Sequence, residues 1–130
     1  MQPFFFLSVE FVIQIHERVI DEFGGDAGLR DRGLLESAVA MPQSTFGGTF
    51  LHVDLAEKAA AYHFHLCANH AFIDGNKRVA VAAAEVFILA NGCELSASDD
   101  ELEDITISVA KGQASKDDVI AFYRRHTIME

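Results

Sequence analysis

Residues 70–92, "HAFIDGNKRVAVAAAEVFILANG", join a polar loop to an apolar run, and the fold turns on how that run is read. The first nine residues hold a histidine, a carboxylate, a glycine, an asparagine and two adjacent cations. From Val79 to Ala90 the only charged residue is Glu85, and Asn91-Gly92 supply a helix stop. A helix that is apolar nearly all round must be surrounded by others. The spacing therefore predicts a central helix with the polar loop at its N-terminus.

Working outward, helical signals dominate. Ser8 caps a segment from Val9 to Phe23 whose apolar face is read as Phe11, Ile15, Val19 and Phe23, with Gly24-Gly25 ending it. Asp31 caps a short helix that stops before Pro42. The glycine-rich stretch from Gln43 to Phe50 reads as a mobile loop or small hairpin. Asp54 with Glu57 opens a helix to about Ala68, carrying Leu55, Ala59, Tyr62 and Leu66 on its apolar stripe. Ser98 with Glu101, and Ser115 with Asp118, open two further helices, to about Lys111 and about His126. "FFFL" near the start and "CELS" at 93–96 are read as a pair of edge strands. The expectation is an all-α bundle of about six helices forming one domain over residues 1–130.

The length allows a core without disulfides or structural metal. Half of the 130 residues are hydrophobic and 23% are charged, which is ordinary globular composition. A net charge of −10 with no basic stripe argues against nucleic acid as partner. Cys67 and Cys93 have no paired spacing and read as free, buried thiols. The apolar opening "MQPFFFLSVEF" lacks a basic n-region and a cleavage site, and no apolar run is long enough to span a membrane. The expected location is the cytoplasm.

The loop carries chemistry at both ends. Its second half begins the central helix, where the first N–H groups lack partners and the macrodipole is positive. Gly75 lets successive N–H groups converge on one point, and Asn76, Lys77 and Arg78 add donors around it. This is the composition of a phosphate site. His70 can take a proton from a hydroxyl, Asp74 can hold Mg2+ on phosphates or orient the nucleophile, and Phe72 reads as an apolar peg. The plain reading, a solvated turn with a polar helix cap, stands beside this one on the residues alone.

"HAFIDGNKR" resembles the core motif of the Fic/Doc (Fido) family, in particular its death-on-curing toxin branch. The similarity extends over nearly the whole chain, through the stretch from Ile15 to Gly48, "DLAEKAAAYHFHLCANH" and "VFILANGCEL". The resemblance implies a Fido fold with the motif loop between two central helices. It implies His70 as general base, Asp74 as the acidic loop residue, and Gly75, Asn76, Lys77 and Arg78 as the nucleotide-phosphate site. It places the target-positioning flap at Gln43 to Phe50.

The adenylylating branch resembles H-x-F-x-[DE]-G-N-G-R-x-x-R. Here Lys77 replaces the second glycine and Val81 the second arginine, both groups that would serve an α-phosphate. A lysine there goes with phosphate transfer from ATP, and a flexible point charge suits a terminal phosphate. Gly75, where the death-on-curing toxin has alanine, is shared with the adenylylators. The implied function is a toxin that phosphorylates a protein hydroxyl with ATP and Mg2+. Elongation factor Tu is the typical target of that branch. AMP transfer, or a catalytically silent nucleotide- or partner-binding domain, are the alternatives. No [ST]-x-x-x-E-[GN] self-inhibiting string is present, so an antitoxin acting in trans is expected.

Other residues read as structural. His63, Cys67 and His70 share a helix face, as zinc ligands would, but no fourth ligand is apparent. His63 and His65 are read as partly buried histidines or as part of the nucleotide cleft. Asp99 to Asp104 form a dipole-compatible helix start, and Arg124 and Arg125 are surface cations near a helix C-terminus.

Overall fold

A computed structural model describes residues 4–129. Six helices carry the chain: α1 (Val9–Phe23), α2 (Arg32–Ala40), α3 (Leu55–Asn69), α4 (Asn76–Ala90), α5 (Asp99–Ala110) and α6 (Lys116–His126). The caps named from sequence are in place. Ser8, Asp31 and Asp54 accept from the N–H groups of Phe11, Leu34 and Glu57. Ser98–Glu101 and Ser115–Asp118 are full capping boxes, each satisfying two donors that the helix leaves orphaned. A short 3-10 turn, Met41–Gln43, follows α2 and carries Pro42.

α3 and α4 form the centre. α3 packs on α2, α4, α5 and α6, and α4 on α1, α3 and α5. Val79, Ala80, Ala83, Ala84, Phe87 and Ile88 of α4 are fully buried, but Val81, Ala82 and Val86 are half-buried and Leu89 is 55% exposed, so the apolar helix is central without being enclosed all round. Its alanines, like Ala59 and Ala60 of α3, are buried where the two helices pack, and small side chains permit a short distance between packed helix axes. One continuous core runs from Leu7 to Tyr123. Inside it His63 is fully enclosed: its Nδ1 lies 2.5 Å from the Tyr123 hydroxyl and its Nε2 2.9 Å from Thr106 Oγ1. Thr106 spends its own proton on the Leu102 carbonyl, so His63 donates from Nε2 and accepts at Nδ1.

Two expectations are corrected. The buried face of α1 is Val12, Ile15, His16, Val19 and Ile20, whereas Phe11 and Phe23 are 41% and 53% exposed. The stripe lies one residue round the helix because α1 docks on α4 along that edge. Strand β3 (Cys93–Leu95) pairs antiparallel with β4 (Thr127–Met129), not with the N-terminal "FFFL". That segment is held instead by Asn91, whose side chain bonds both the N–H and the carbonyl of Phe5.

Residues 45–50 form a hairpin, β1 (Thr45–Phe46) with β2 (Thr49–Phe50). Gly47 and Gly48, at φ 59° and 81°, make the two-residue turn whose twist suits such a hairpin. Lys58 on α3 anchors its base. The buried ammonium donates to the carbonyls of His52 and Val53 and lies 4.2 Å from the centres of the Phe4 and Phe50 rings.

Candidate active site

The loop between α3 and α4 is short and tightly held. His70 closes α3 in the left-handed conformation at φ 51°, the sole non-glycine residue with positive φ among the described residues. Such a conformation persists only where neighbours enforce it. Arg30 does so: its Nε donates to the His70 carbonyl at 2.8 Å and its Nη2 to the Asn69 carbonyl at 3.3 Å. The backbone of residues 26–31 runs alongside. Arg30 and Asp31 N–H groups donate to the Ala71 carbonyl, and Ile73 N–H to the Gly28 carbonyl.

Phe72 is the buried peg, stacked face to face on His16 at 3.7 Å and 9°. His16, also buried, donates from Nε2 to the Asp74 carbonyl at 2.7 Å. Asp74 keeps its side chain at the surface, where Oδ2 accepts from the Asp26 N–H at 2.8 Å. Gly75 caps α4 at φ 78°, a conformation natural to glycine. A Cβ there would meet Ile20 Cδ1 at 3.2 Å and His16 Nε2 at 3.3 Å, a tight fit in which those side chains would have to give by a few tenths of an ångström.

The start of α4 carries the backbone donors that an anion site would need. Among the described residues no acceptor takes the N–H groups of Gly75, Asn76, Lys77 or Arg78. Lys77 and Arg78 are exposed beside them. Arg78 rests its guanidinium over the Phe23 ring at 3.8 Å, which explains an apolar residue at the solvent end of α1. Lys77 lies on the α3 side: burial pushes the Cys67 thiol up, and the lysine's charge works against that rise.

Asn76 is placed differently from its neighbours. It is 6% exposed, and its side chain faces inward to accept from the Phe72 N–H at 3.0 Å and donate to the Phe72 carbonyl at 2.9 Å. Only its backbone N–H is available to an anion, while the amide staples the loop. The same Nδ2 lies 3.4 Å from His70 Nδ1, bringing the imidazole against the first residue of α4. An amide N–H can only donate, so this contact leaves the imidazole proton on Nε2. Taking a hydroxyl proton at Nε2 needs the other tautomer, with the proton on Nδ1 and the Asn76 contact given up.

Mg2+ commonly takes one or two carboxylates, substrate phosphates and water. Asp74 fits that demand, since a carboxylate bonded once by Asp26 retains free lone pairs. Among the described residues no group of three or more histidine, cysteine or acidic side chains could hold a metal. The zinc set His63–Cys67–His70 is thereby not formed: His63 is committed to Tyr123 and Thr106, and Cys67 contacts the Thr106 carbonyl. Two surface hollows of about 540 and 420 Å3, lined by residues such as Phe5 and Phe11 or Ile105 and Phe122, lie away from this loop. Chemistry, not concavity, marks the site.

His16, Asp26 and Arg30 were not found from sequence. A histidine within the apolar stripe of α1 was a signal for His16; nothing local marked the other two.

A helical domain that sets a histidine against a helix terminus with unpartnered N–H groups and two cations, on a loop between two central helices, defines the class. The chain belongs to the Fic/DOC family, whose sequence pattern matches residues 6–88. It is 45% identical over 101 residues to "Toxin Doc" of Mycolicibacterium smegmatis, covering 76% of this chain and 78% of that protein. It is 33% identical over 119 residues to "Protein kinase doc" of Escherichia phage P1, covering 92% and 93%. Among the described residues no helix is long and apolar enough to cross a membrane.

Proposed function

We propose that this protein is a Doc-like toxin that moves the terminal phosphate of ATP onto a hydroxyl of a target protein. The observation that carries the reading is the His70–Asn76 contact, which brings a candidate base to the helix terminus that offers free N–H groups and two cations. In this reading the N–H groups of residues 75–78, with Lys77 and Arg78, bind the terminal phosphate and stabilise charge on its oxygens. His70 takes the hydroxyl proton as the oxygen attacks the γ-phosphorus, and the bond from that phosphorus to the β–γ bridging oxygen breaks so that ADP leaves. When bound, Mg2+ would be held by Asp74 and neutralise phosphate charge. The hairpin at residues 45–50, with Phe46 80% exposed, is the surface offered to the target segment.

The names of the two relatives, a toxin and a protein kinase, support both parts of the proposal. Gly75 does not favour AMP transfer over it, because its φ of 78° and its tight His16 and Ile20 contacts are a local reason for glycine there. A toxin of this kind implies an antitoxin, and the net charge of −10 suits a partner segment with basic residues. Elongation factor Tu is the target to test first.

The test is purified protein with Mg2+, lysate and ATP labelled on the α- or γ-phosphate. The γ-label alone should reach a protein. An α-label on protein would establish nucleotidyl transfer instead, and no transfer with ATP binding intact would establish a silent binding domain.

A further inference from the structure

We infer that His16 is a positioning residue for the anion nest: it locks the Asp74–Gly75 peptide so that the Gly75 N–H faces the ligand side. The inference rests on the phosphate-site reading above and adds to it a residue from outside the motif, 58 positions away in sequence.

The geometry follows from the planar peptide. A trans peptide points its C=O and its N–H in opposite directions, and no cis bond occurs among the described residues. His16 draws the Asp74 carbonyl inward at 2.7 Å. The N–H of Gly75 must then point outward, toward the surface that carries Asp74, Lys77 and Arg78. A flipped peptide would turn a carbonyl oxygen into the nest, where it repels phosphate and removes one donor.

Glycine at φ 78° has the freedom to flip, so the orientation needs an external hold. His16 is suited to this because it is itself immobile. It is 1% exposed and stacked on the buried Phe72, so its Nε2 has one position. Since a carbonyl can only accept, that nitrogen carries the proton. The Asp74 carbonyl is also the i−4 acceptor that the Arg78 N–H would take in an extended helix. Its engagement by His16 helps keep that donor free as well.

The experiment compares His16→Gln, which keeps a donor near the position of Nε2, with His16→Met, which has similar bulk and no donor. His16→Phe keeps the ring stack and also lacks the donor. Calorimetric titration with Mg·ATP should show His16→Met and His16→Phe binding about 10- to 100-fold more weakly, the worth of a hydrogen bond to a charged group. His16→Gln should stay within about threefold of the unmodified chain. In the unmodified chain the Gly75 amide proton should move downfield in the 1H–15N spectrum on saturation with Mg·ATP.

Equal binding by folded His16→Met and the unmodified chain would overturn the inference, as would an unmoved Gly75 amide at saturation. Should the unmodified chain bind no nucleotide, the proposed function fails by itself. The lock is then read from the Gly75 amide shift in the free proteins: a changed shift in His16→Met but not in His16→Gln supports it, and no change overturns it. Should both donor-less variants fail to fold, a Gly75 shift and affinity in His16→Gln that differ from the unmodified chain overturn it, and agreement supports it.

Discussion

His70 is held in a backbone conformation that few residues tolerate, and this shapes how its role can be tested. Alanine would remove the imidazole and also strain the left-handed position. Asparagine adopts that conformation readily and has no basic nitrogen. His70→Asn should therefore lower phosphate transfer by about 100- to 10,000-fold, the range of a general base, with a thermal midpoint within a few degrees of the unmodified chain. Full activity in that variant would remove His70 from the mechanism. The motif residues divide by what they touch. Lys77 and Arg78 face solvent beside the free N–H groups, whereas Asn76 spends its amide on Phe72 and His70. The string "GNKR" carries no sign of that division, because it depends on which way each side chain leaves the first turn of α4.

At the scale of elements, caps were legible because they are local. A cap is a contact between residues three apart, written in adjacent sequence, and all five named serine and aspartate caps are formed. Ser98→Ala should cost about 1 kcal/mol, seen as a thermal midpoint a few degrees lower with activity retained, since α5 lies away from the loop. An unchanged midpoint would mean that the cap of α5 adds nothing. The face of α1 was less legible. Phe11, Ile15, Val19 and Phe23 fit one helical stripe and Val12, Ile15, His16, Val19 and Ile20 fit another that overlaps it, and only the docking of α1 on α4 chooses between them. The partner of β3 was illegible for a related reason: strand pairing across some thirty residues leaves no local pattern.

For the whole molecule, the buried polar chain through the core sets a pH dependence. Burial pushes the His63 imidazole down to about 4, and the same holds for His65, where the Lys116 and His52 charges add to burial. The folded pKa is thus below the ordinary value near 6.5. Between the two, the unfolded chain binds more protons, so stability is full above about pH 6.5 and falls as pH drops toward 4. His63 alone accounts for about 3 kcal/mol over that window. Urea midpoints measured from pH 7 to pH 4 should fall more steeply for the unmodified chain than for His63→Gln, which can donate to Thr106 and accept from Tyr123 without titrating. The difference between the two chains removes the general effect of neutralising an acidic surface. Parallel curves would show that His63 is not the titrating group.

What the sequence determined by itself is the set of helices, their caps, the central place of α4 and the reactive side chains gathered in "HAFIDGNKR", because these rest on period, neighbour contacts and residue type. What the tertiary structure decided is how that chemistry is held. Arg30, Asp26 and His16 come from distant parts of the chain to fix His70, Asp74 and Gly75. Such contacts are made of ordinary residues whose function exists only once packing brings them within hydrogen-bond reach.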